Sequence, residues 1–237
     1  MTLVLAVDDS GGPEIFASLQ GEGPSAGKPR AFVRLSRCNL ACEWCDTAYT
    51  WRFSGPKAFD RKAEQVVLSE AETAERIRAL GRDRLVVTGG EPLLQAPALA
   101  RMLALLPDLR VEIETNGTVA PPPALDALVD QYNVSPKLAH SGNPAELALI
   151  PERLAAFAAD PRAFFKFVVA DPGDLEEVAA LQQRYGIPSE RLFIMPEGTD
   201  SATLRSREAW LGKACIERGW RLSDRLHIHL YGDTRGT

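Results

Sequence analysis

From about residue 84 onward, short apolar runs alternate with stretches of helical periodicity. The runs are RLVV (84–87), LRVEIE (109–114), YNVS (132–135), AFFKFVVA (163–170), RLFIM (191–195) and LHIHL (226–230). Runs this short, with β-branched and aromatic residues, fit buried strands. Between them, Ser69 with Glu72 three residues on forms a capping box for a helix to about Leu80, and APALARMLALL (96–106) carries an amphipathic helical pattern. Further helical patterns cover about 123–130, 174–185 and 203–218. Strand and helix alternating at this period imply βαβ units around a parallel sheet.

Upstream, AFVRLSR (31–37) predicts a first strand that delivers Cys38 to its C-terminal end, the edge where ligands gather in parallel α/β folds. Four more unusual stretches follow predicted strands in the same way: TGGEP (88–92), ETNG (114–117), SPK (135–137) and MPEG (195–198). Loops converging on one rim predict a shared site. About six strands are too few to close an eight-stranded barrel, so the expected fold class is α/β, a single-domain open partial β/α barrel over residues 1–237. Residues 1–12, with LAVDDSGG, are expected to be a loose extension. APPP (120–123) reads as a rigid turn into a helix, and SGPKAFDRK (54–62) as a flexible surface loop beside or over the site.

Composition narrows the function. The chain is 45% hydrophobic and 25% charged, an ordinary globular mixture, and its 237 residues suffice for one substantial core. Lysine plus arginine (27) against aspartate plus glutamate (32) leaves a net charge of -5, which argues against a sequence-independent nucleic-acid partner. The N-terminus has no basic n-region, and no apolar stretch approaches the roughly 20 residues that cross a bilayer. The expectation is a cytoplasmic protein with no membrane partner. In that compartment disulfides are rare, so clustered thiols point to metal binding or catalysis.

Three of the four cysteines, Cys38, Cys42 and Cys45, lie within RCNLACEWCDT (37–47) as C-x3-C-x2-C. The fourth, Cys215, sits on an apolar helical stripe and reads as a small buried hydrophobe. A structural zinc site wants four ligands, usually in two separated pairs. No second pair exists, and His140, His227 and His229 stand far from the cluster in sequence; the last two read as ordinary residues on one face of a strand. A four-iron cluster also takes thiolates, usually four. Three thiolates leave one iron for a small molecule to chelate, and Asn39 and Ala41 are compatible with the tight curl this needs.

The triplet together with TGGEP resembles the radical S-adenosylmethionine (SAM) superfamily. The stretch EIFASLQGEGPSAGKPRAFVRLSRCNLACEWCDT is similar to the 7-carboxy-7-deazaguanine synthase family within it, and the likeness extends through TGGEPLLQ, ETNGT, SPK, FKFVV and RLHIHLYGDTRG. The resemblance implies a 4Fe-4S cluster on Cys38, Cys42 and Cys45 with SAM at the open iron, and one-electron cleavage of SAM to a 5′-deoxyadenosyl radical. It implies hydrogen abstraction from C6 of 6-carboxy-5,6,7,8-tetrahydropterin, ring contraction and loss of ammonia, in queuosine and 7-deazapurine biosynthesis. It implies Mg2+ held by the substrate carboxylate and Thr47, a homodimer, and a flavodoxin-like or ferredoxin-like electron donor.

Residue by residue, the resemblance places Leu19, Gln20, Gly21, Glu22, Arg34 and Thr88 at the pterin, with Thr237 supplying a terminal carboxylate nearby. It places Trp44, Cys45, Asp46, Gly90, Ser135, Pro136 and Lys137 at SAM, with Glu91 offering a carboxylate to the SAM amino group. Met195, Pro196, Glu197 and Gly198 would close over the adenosine, although MPEGTD departs from the QPMDG-like form of some relatives. The chemistry agrees: magnesium prefers oxygen ligands, Gln20 and Glu22 match a pterin edge, and Arg34 offers a fork for a carboxylate. Plainer roles compete. Arg34 also fits a structural ion pair, Thr47 a helix cap, Lys137 a solvated surface position, and Glu114 and Asn116 a tight turn. An activase making a glycyl radical on another protein is the rival enzyme, and a zinc-binding module the non-enzymatic rival.

Overall fold

The computed structural model describes residues 2–237. Its strands are β1 (Thr2–Ala6), β2 (Ile15–Leu19), β3 (Pro29–Leu35), β4 (Gln65–Ser69), β5 (Arg84–Gly89), β6 (Arg110–Thr115), β7 (Gln131–Val134), β8 (Ala163–Val169), β9 (Leu192–Pro196) and β10 (Arg221–Leu222). They form one sheet in the order β10-β9-β8-β7-β6-β5-β3-β1-β4, with β2 paired to β3 off that path. From β3 through β5 to β10 every pairing is parallel, while β1, β2 and β4 join antiparallel. The sheet does not close, so the α/β open partial barrel is the observed architecture.

The two faces of the parallel strands differ because successive side chains alternate. Val33, Val87, Ile113, Val134, Phe165 and Ile194 are fully buried in the apolar core. The helices Glu70–Ala79, Ala96–Leu103, Pro151–Ala159, Pro172–Tyr185 and Ser201–Arg218 contribute Ile77, Leu99, Leu154, Val178 and Leu211 to the same core. The alternate positions include polar residues, Arg34, Thr88, Glu112, Glu114, Asn133 and Lys166, most of them lining a concave cavity together with apolar Phe32, Val168 and Met195. Local signals fix the helix ends. Asp171 and Asp174 form a capping box at Pro172–Tyr185, and Gly186 ends that helix at φ 63°.

Several elements differ from the sequence expectation. Residues 2–6 are not a loose extension: β1 inserts between β3 and β4, with Leu3, Leu5 and Ala6 fully buried. Its five residues lack polar alternation because both faces are covered, and the adjacent acidic turn masks it. The segment 123–130 is helical only over Pro123–Asp126. Ser69 accepts from the Glu72 N–H at 3.1 Å, but the Glu72 carboxylate pairs with Arg76, so only half of the capping box forms. LHIHL is a helix, Leu226–Tyr231. His227 faces the cavity, Ile228 is buried, and His229 meets Ser201 and Glu208. Three consecutive residues facing three ways fit about 100° per residue, which a strand cannot supply. Among the described residues no helix is long and apolar enough to cross a membrane.

Candidate active site

The cysteine loop leaves β3 through a sharp turn at Arg37, whose φ of 79° makes it the one non-glycine residue with positive φ among those described. Such a conformation costs about 1–3 kcal/mol and persists only where its surroundings fix it. Here the Arg37 N–H donates to the Thr50 carbonyl at 2.7 Å and its carbonyl accepts from the Glu91 N–H at 2.8 Å. The glycines of TGGEP serve the same junction. A Cβ on Gly89 would lie 2.0 Å from the Leu35 carbonyl oxygen, and one on Gly90 would lie 2.1 Å from that of Arg37. Backbone therefore packs on backbone where the β5 loop crosses the exit of β3.

Cys38, Cys42 and Cys45 all open onto the cavity as free thiols. Their sulfurs do not all fall within 4.8 Å of one another. A tetrahedral zinc ion, with Zn–S near 2.3 Å, would gather them to about 3.8 Å. No histidine joins them either: His140 stacks on Trp44 at 5.3 Å and turns Nε2 to the Val168 carbonyl at 3.0 Å. Each sulfur instead meets an N–H. Asn143 Nδ2 reaches Cys42 Sγ at 3.2 Å, Trp51 Nε1 reaches Cys45 Sγ at 3.3 Å and Asn116 Nδ2 approaches Cys38 Sγ at 3.9 Å. Burial pushes the Cys38 thiol up to about 11, with the Glu91 charge and the other thiols adding to it. Cys45 is raised by burial and then by Asp46. Metal loading must therefore displace protons. Trp44 Nε1, on the cavity wall, is buried without a partner among the described residues. Spread thiols, N–H groups aimed at sulfur and an orphaned donor fit a thiolate-held iron–sulfur cluster with a small ligand beside it.

The facing wall is polar and interlocked. Gln20 Nε2 donates to Glu114 Oε1 at 3.0 Å, and Thr88 Oγ1 donates to Glu114 Oε2 at 2.7 Å. Glu22 pairs with Lys166 and with Arg225, which also reaches Asp46 and the Gly198 carbonyl. Burial alone would raise the Glu22 carboxyl, but Lys166, Arg225 and His227 outweigh it and hold the group well below the usual carboxylate range. Asp46 is likewise lowered, Arg225 overcoming burial. Burial lowers His227, against the pull of Glu22. Gly21 makes room for that ring: a Cβ there would lie 2.0 Å from His227 Nδ1.

Arg34 Nε pairs at 2.7 Å with fully buried Glu14, which also accepts from Tyr49 Oη at 2.9 Å. The plain ion-pair reading of Arg34 is thus real, and its side chain also lines the cavity. Thr47 makes no side-chain cap; its Oγ1 lies 3.6 Å from Cys45 Sγ at the cavity wall. Lys137 is no solvated surface residue, since Nζ donates to Ser135 Oγ at 2.9 Å and sits 5.6 Å from the Trp44 ring centre. Thr237 reaches the cavity because Arg235 stacks on Tyr49 at 3.6 Å and pairs with Glu64 at 2.6 Å.

Four predicted residues do not line the cavity: Glu91, Pro136, Pro196 and Gly198. The Glu91 carboxylate is fully buried and accepts from the Leu93 N–H, the Thr115 hydroxyl and the Asn116 N–H at 2.7–3.0 Å, so it braces two loops. Pro136 alternates with Ser135 and Lys137, and Pro196 and Gly198 with Met195 and Glu197, in extended backbone whose alternate residues face away. Glu197 is held by Arg207 at 2.6 Å. The sequence reading missed Lys166, Arg225 and His227. Lys166 was visible as the lone charge in AFFKFVVA; Arg225 and His227 depended on a helix read as a strand.

Residues 33–140 match the Radical SAM superfamily. The chain is 40% identical to a 7-carboxy-7-deazaguanine synthase of Pyrobaculum aerophilum, covering 94% of this chain and 95% of that protein. It is 36% identical to one of Halobacterium salinarum, over 94% and 91%. A crystal structure of QueE from Escherichia coli is similar at a TM-score of 0.66 and 26% identity, covering 94% of this chain and 95% of that one. Sequence likeness along nearly the full length and a cavity with three thiols on one wall agree: the chain belongs to the 7-carboxy-7-deazaguanine synthase family of radical SAM enzymes.

Proposed function

We infer that this chain is a carbon–nitrogen lyase that contracts the ring of 6-carboxy-5,6,7,8-tetrahydropterin to 7-carboxy-7-deazaguanine with release of ammonia, in queuosine and 7-deazapurine biosynthesis. The observation that carries it is one cavity with Cys38, Cys42 and Cys45 on one wall and the Gln20–Glu114–Thr88 network on another. Cys38, Cys42 and Cys45 would hold a 4Fe-4S cluster beside SAM, and the pair would supply one-electron cleavage of the sulfonium and with it the power to abstract hydrogen. Gln20, Thr88 and Glu114 orient the pterin edge, with Glu114 accepting from ring N–H groups. Glu22, kept ionised by Lys166 and Arg225, adds a second acceptor. The guanidinium N–H groups of Arg34 that Glu14 leaves free face the substrate carboxylate, and Thr237 brings the terminal carboxylate near the substrate. Thr47, with no cap to form, supplies a hydroxyl to Mg2+. Ser135, Lys137, Met195 and Glu197 bind SAM, and the Arg235-anchored tail shields the cavity from water.

The polar wall of Gln20, Glu114 and Thr88, with its donors and acceptors spaced for a small heterocycle, supports this reading over an activase, which needs a face for a polypeptide. A homodimer, the assembly that the family resemblance implies, is tested by light scattering. Thiols that must stay reduced, and an electron drawn from a flavodoxin-like or ferredoxin-like donor, favour the cytoplasm. Incubating the reduced, iron-loaded protein with SAM, Mg2+ and the carboxytetrahydropterin should yield 7-carboxy-7-deazaguanine and ammonia. An intact cluster that cleaves SAM without forming that product rejects the substrate assignment.

A further inference from the structure

A short segment more than a hundred residues along the chain grips the cysteine loop. After the turn Ala139–Ser141, Gly142 adopts φ 77°, and a Cβ there would meet Glu43 Oε1 at 2.7 Å. The Ser141 carbonyl accepts from the Glu43 N–H at 3.0 Å, and Asn143 Oδ1 accepts from the Ala41 N–H at 2.8 Å. The same Asn143 side chain donates from Nδ2 to Cys42 Sγ at 3.2 Å and to Ser141 Oγ at 3.1 Å. One amide thus holds the loop backbone with its oxygen and a cluster ligand with its nitrogen. On the other side of the triplet, Trp51 Nε1 points at Cys45 Sγ at 3.3 Å. Asn116 contributes less to Cys38, at 3.9 Å, because its Nδ2 also donates to Asn39 Oδ1 at 3.0 Å.

We propose that Asn143 and Trp51 are positioning residues that set the reduction potential of the iron–sulfur cluster by donating hydrogen bonds to the sulfurs of Cys42 and Cys45. The inference rests on the radical SAM reading above. When the cluster accepts one electron from an external donor, no bond to sulfur forms or breaks, but negative charge on the thiolates rises. N–H donors stabilise that charge and so favour the reduced form. They act on the electron-accepting step, through the cluster sulfurs. Asn143 and Trp51 thereby make a strongly reducing cluster easier to load with its electron.

The test is an EPR-monitored redox titration of the full chain, reconstituted with iron and sulfide under anaerobic conditions and reduced with dithionite. Asn143→Asp keeps the oxygen that accepts from Ala41 while removing the N–H to Cys42, so the loop stays anchored. Trp51→Phe removes the N–H to Cys45 while keeping an aromatic ring beneath Arg52. Each variant should hold a full complement of iron, yet at a fixed poise its reduced-to-oxidised ratio should fall about three- to tenfold. Asn143→Asp should fall further than Trp51→Phe because it adds a negative charge. Asn143→Gln should restore part of the loss. Wild-type and variant clusters with the same potential overturn the inference alone. A wild-type chain that takes up no cluster overturns the functional reading, and this inference with it.

Discussion

Glu112 and Glu114 stand two residues apart on β6, on the same inward face, and have opposite fates. Glu112 is sealed: it pairs with buried Arg30 at 2.9 Å and also accepts from Ser25 at 2.9 Å and Gln131 at 3.2 Å. Glu114 meets only neutral donors, Gln20 and Thr88, and lines the cavity. A carboxylate matched by a buried guanidinium has its charge settled within the protein. Glu114, held by an amide and a hydroxyl on the cavity wall, stays open to a ligand, and so does Glu22 despite its pairing with Arg225, because it too lines the cavity; place on the wall as well as partners divides plug from site.

The sharpest way to break the comparison is on the sealed side. Glu112→Ala leaves Arg30 buried and unpaired and should destabilise by about 3–5 kcal/mol in chemical denaturation. Replacing both, as Arg30→Met with Glu112→Leu, should recover most of that loss. If the double variant is as weak as the single one, the pair is not self-contained. On the open side, Glu114→Gln should lower kcat/KM about a hundredfold, ~2.7 kcal/mol, with the melting temperature little changed. A large fall in melting temperature instead would place Glu114 with Glu112.

Acid separates the two regions by proton linkage. The Glu22 carboxyl lies below its ordinary value of 4.5 in the folded chain, so its stabilising contribution is complete above that pH and is lost as pH falls below it. The slope from this one group is at most about 1.4 kcal/mol per pH unit. Glu22→Gln should start from lower stability but show a flatter decline below pH 4.5; an unchanged slope would show that Glu22 is not the titrating group. The smallest expected effect is that of Thr88→Val, which removes one donor to Glu114 and should cost about fivefold in kcat/KM, ~1 kcal/mol.

Much of this was legible in the sequence, for physical reasons. The parallel strands announced themselves because burial on their core face enforces apolar runs, and the cysteine triplet because its ligands are local. β1 was hidden by being covered on both faces, and β2 and β4 by lying before the repeating βαβ pattern begins. At the site, residues within motifs were found, whereas Arg225 and His227 were not, since their place depends on long-range packing against Gly21, Glu22 and Asp46. Glu91 differs again: the motif offers a carboxylate, and only the fold shows the bonds it makes to the Leu93, Thr115 and Asn116 groups.

Glu91 is also a keystone. Its amide fixes the strained turn before Cys38, and its carboxylate ties down the start of the loop after β6. The thiol wall and the Asn116 loop are therefore mechanically one piece. A replacement at position 91 would tilt both together, and any defect it produced would have to be read as a change in the shape of the chamber.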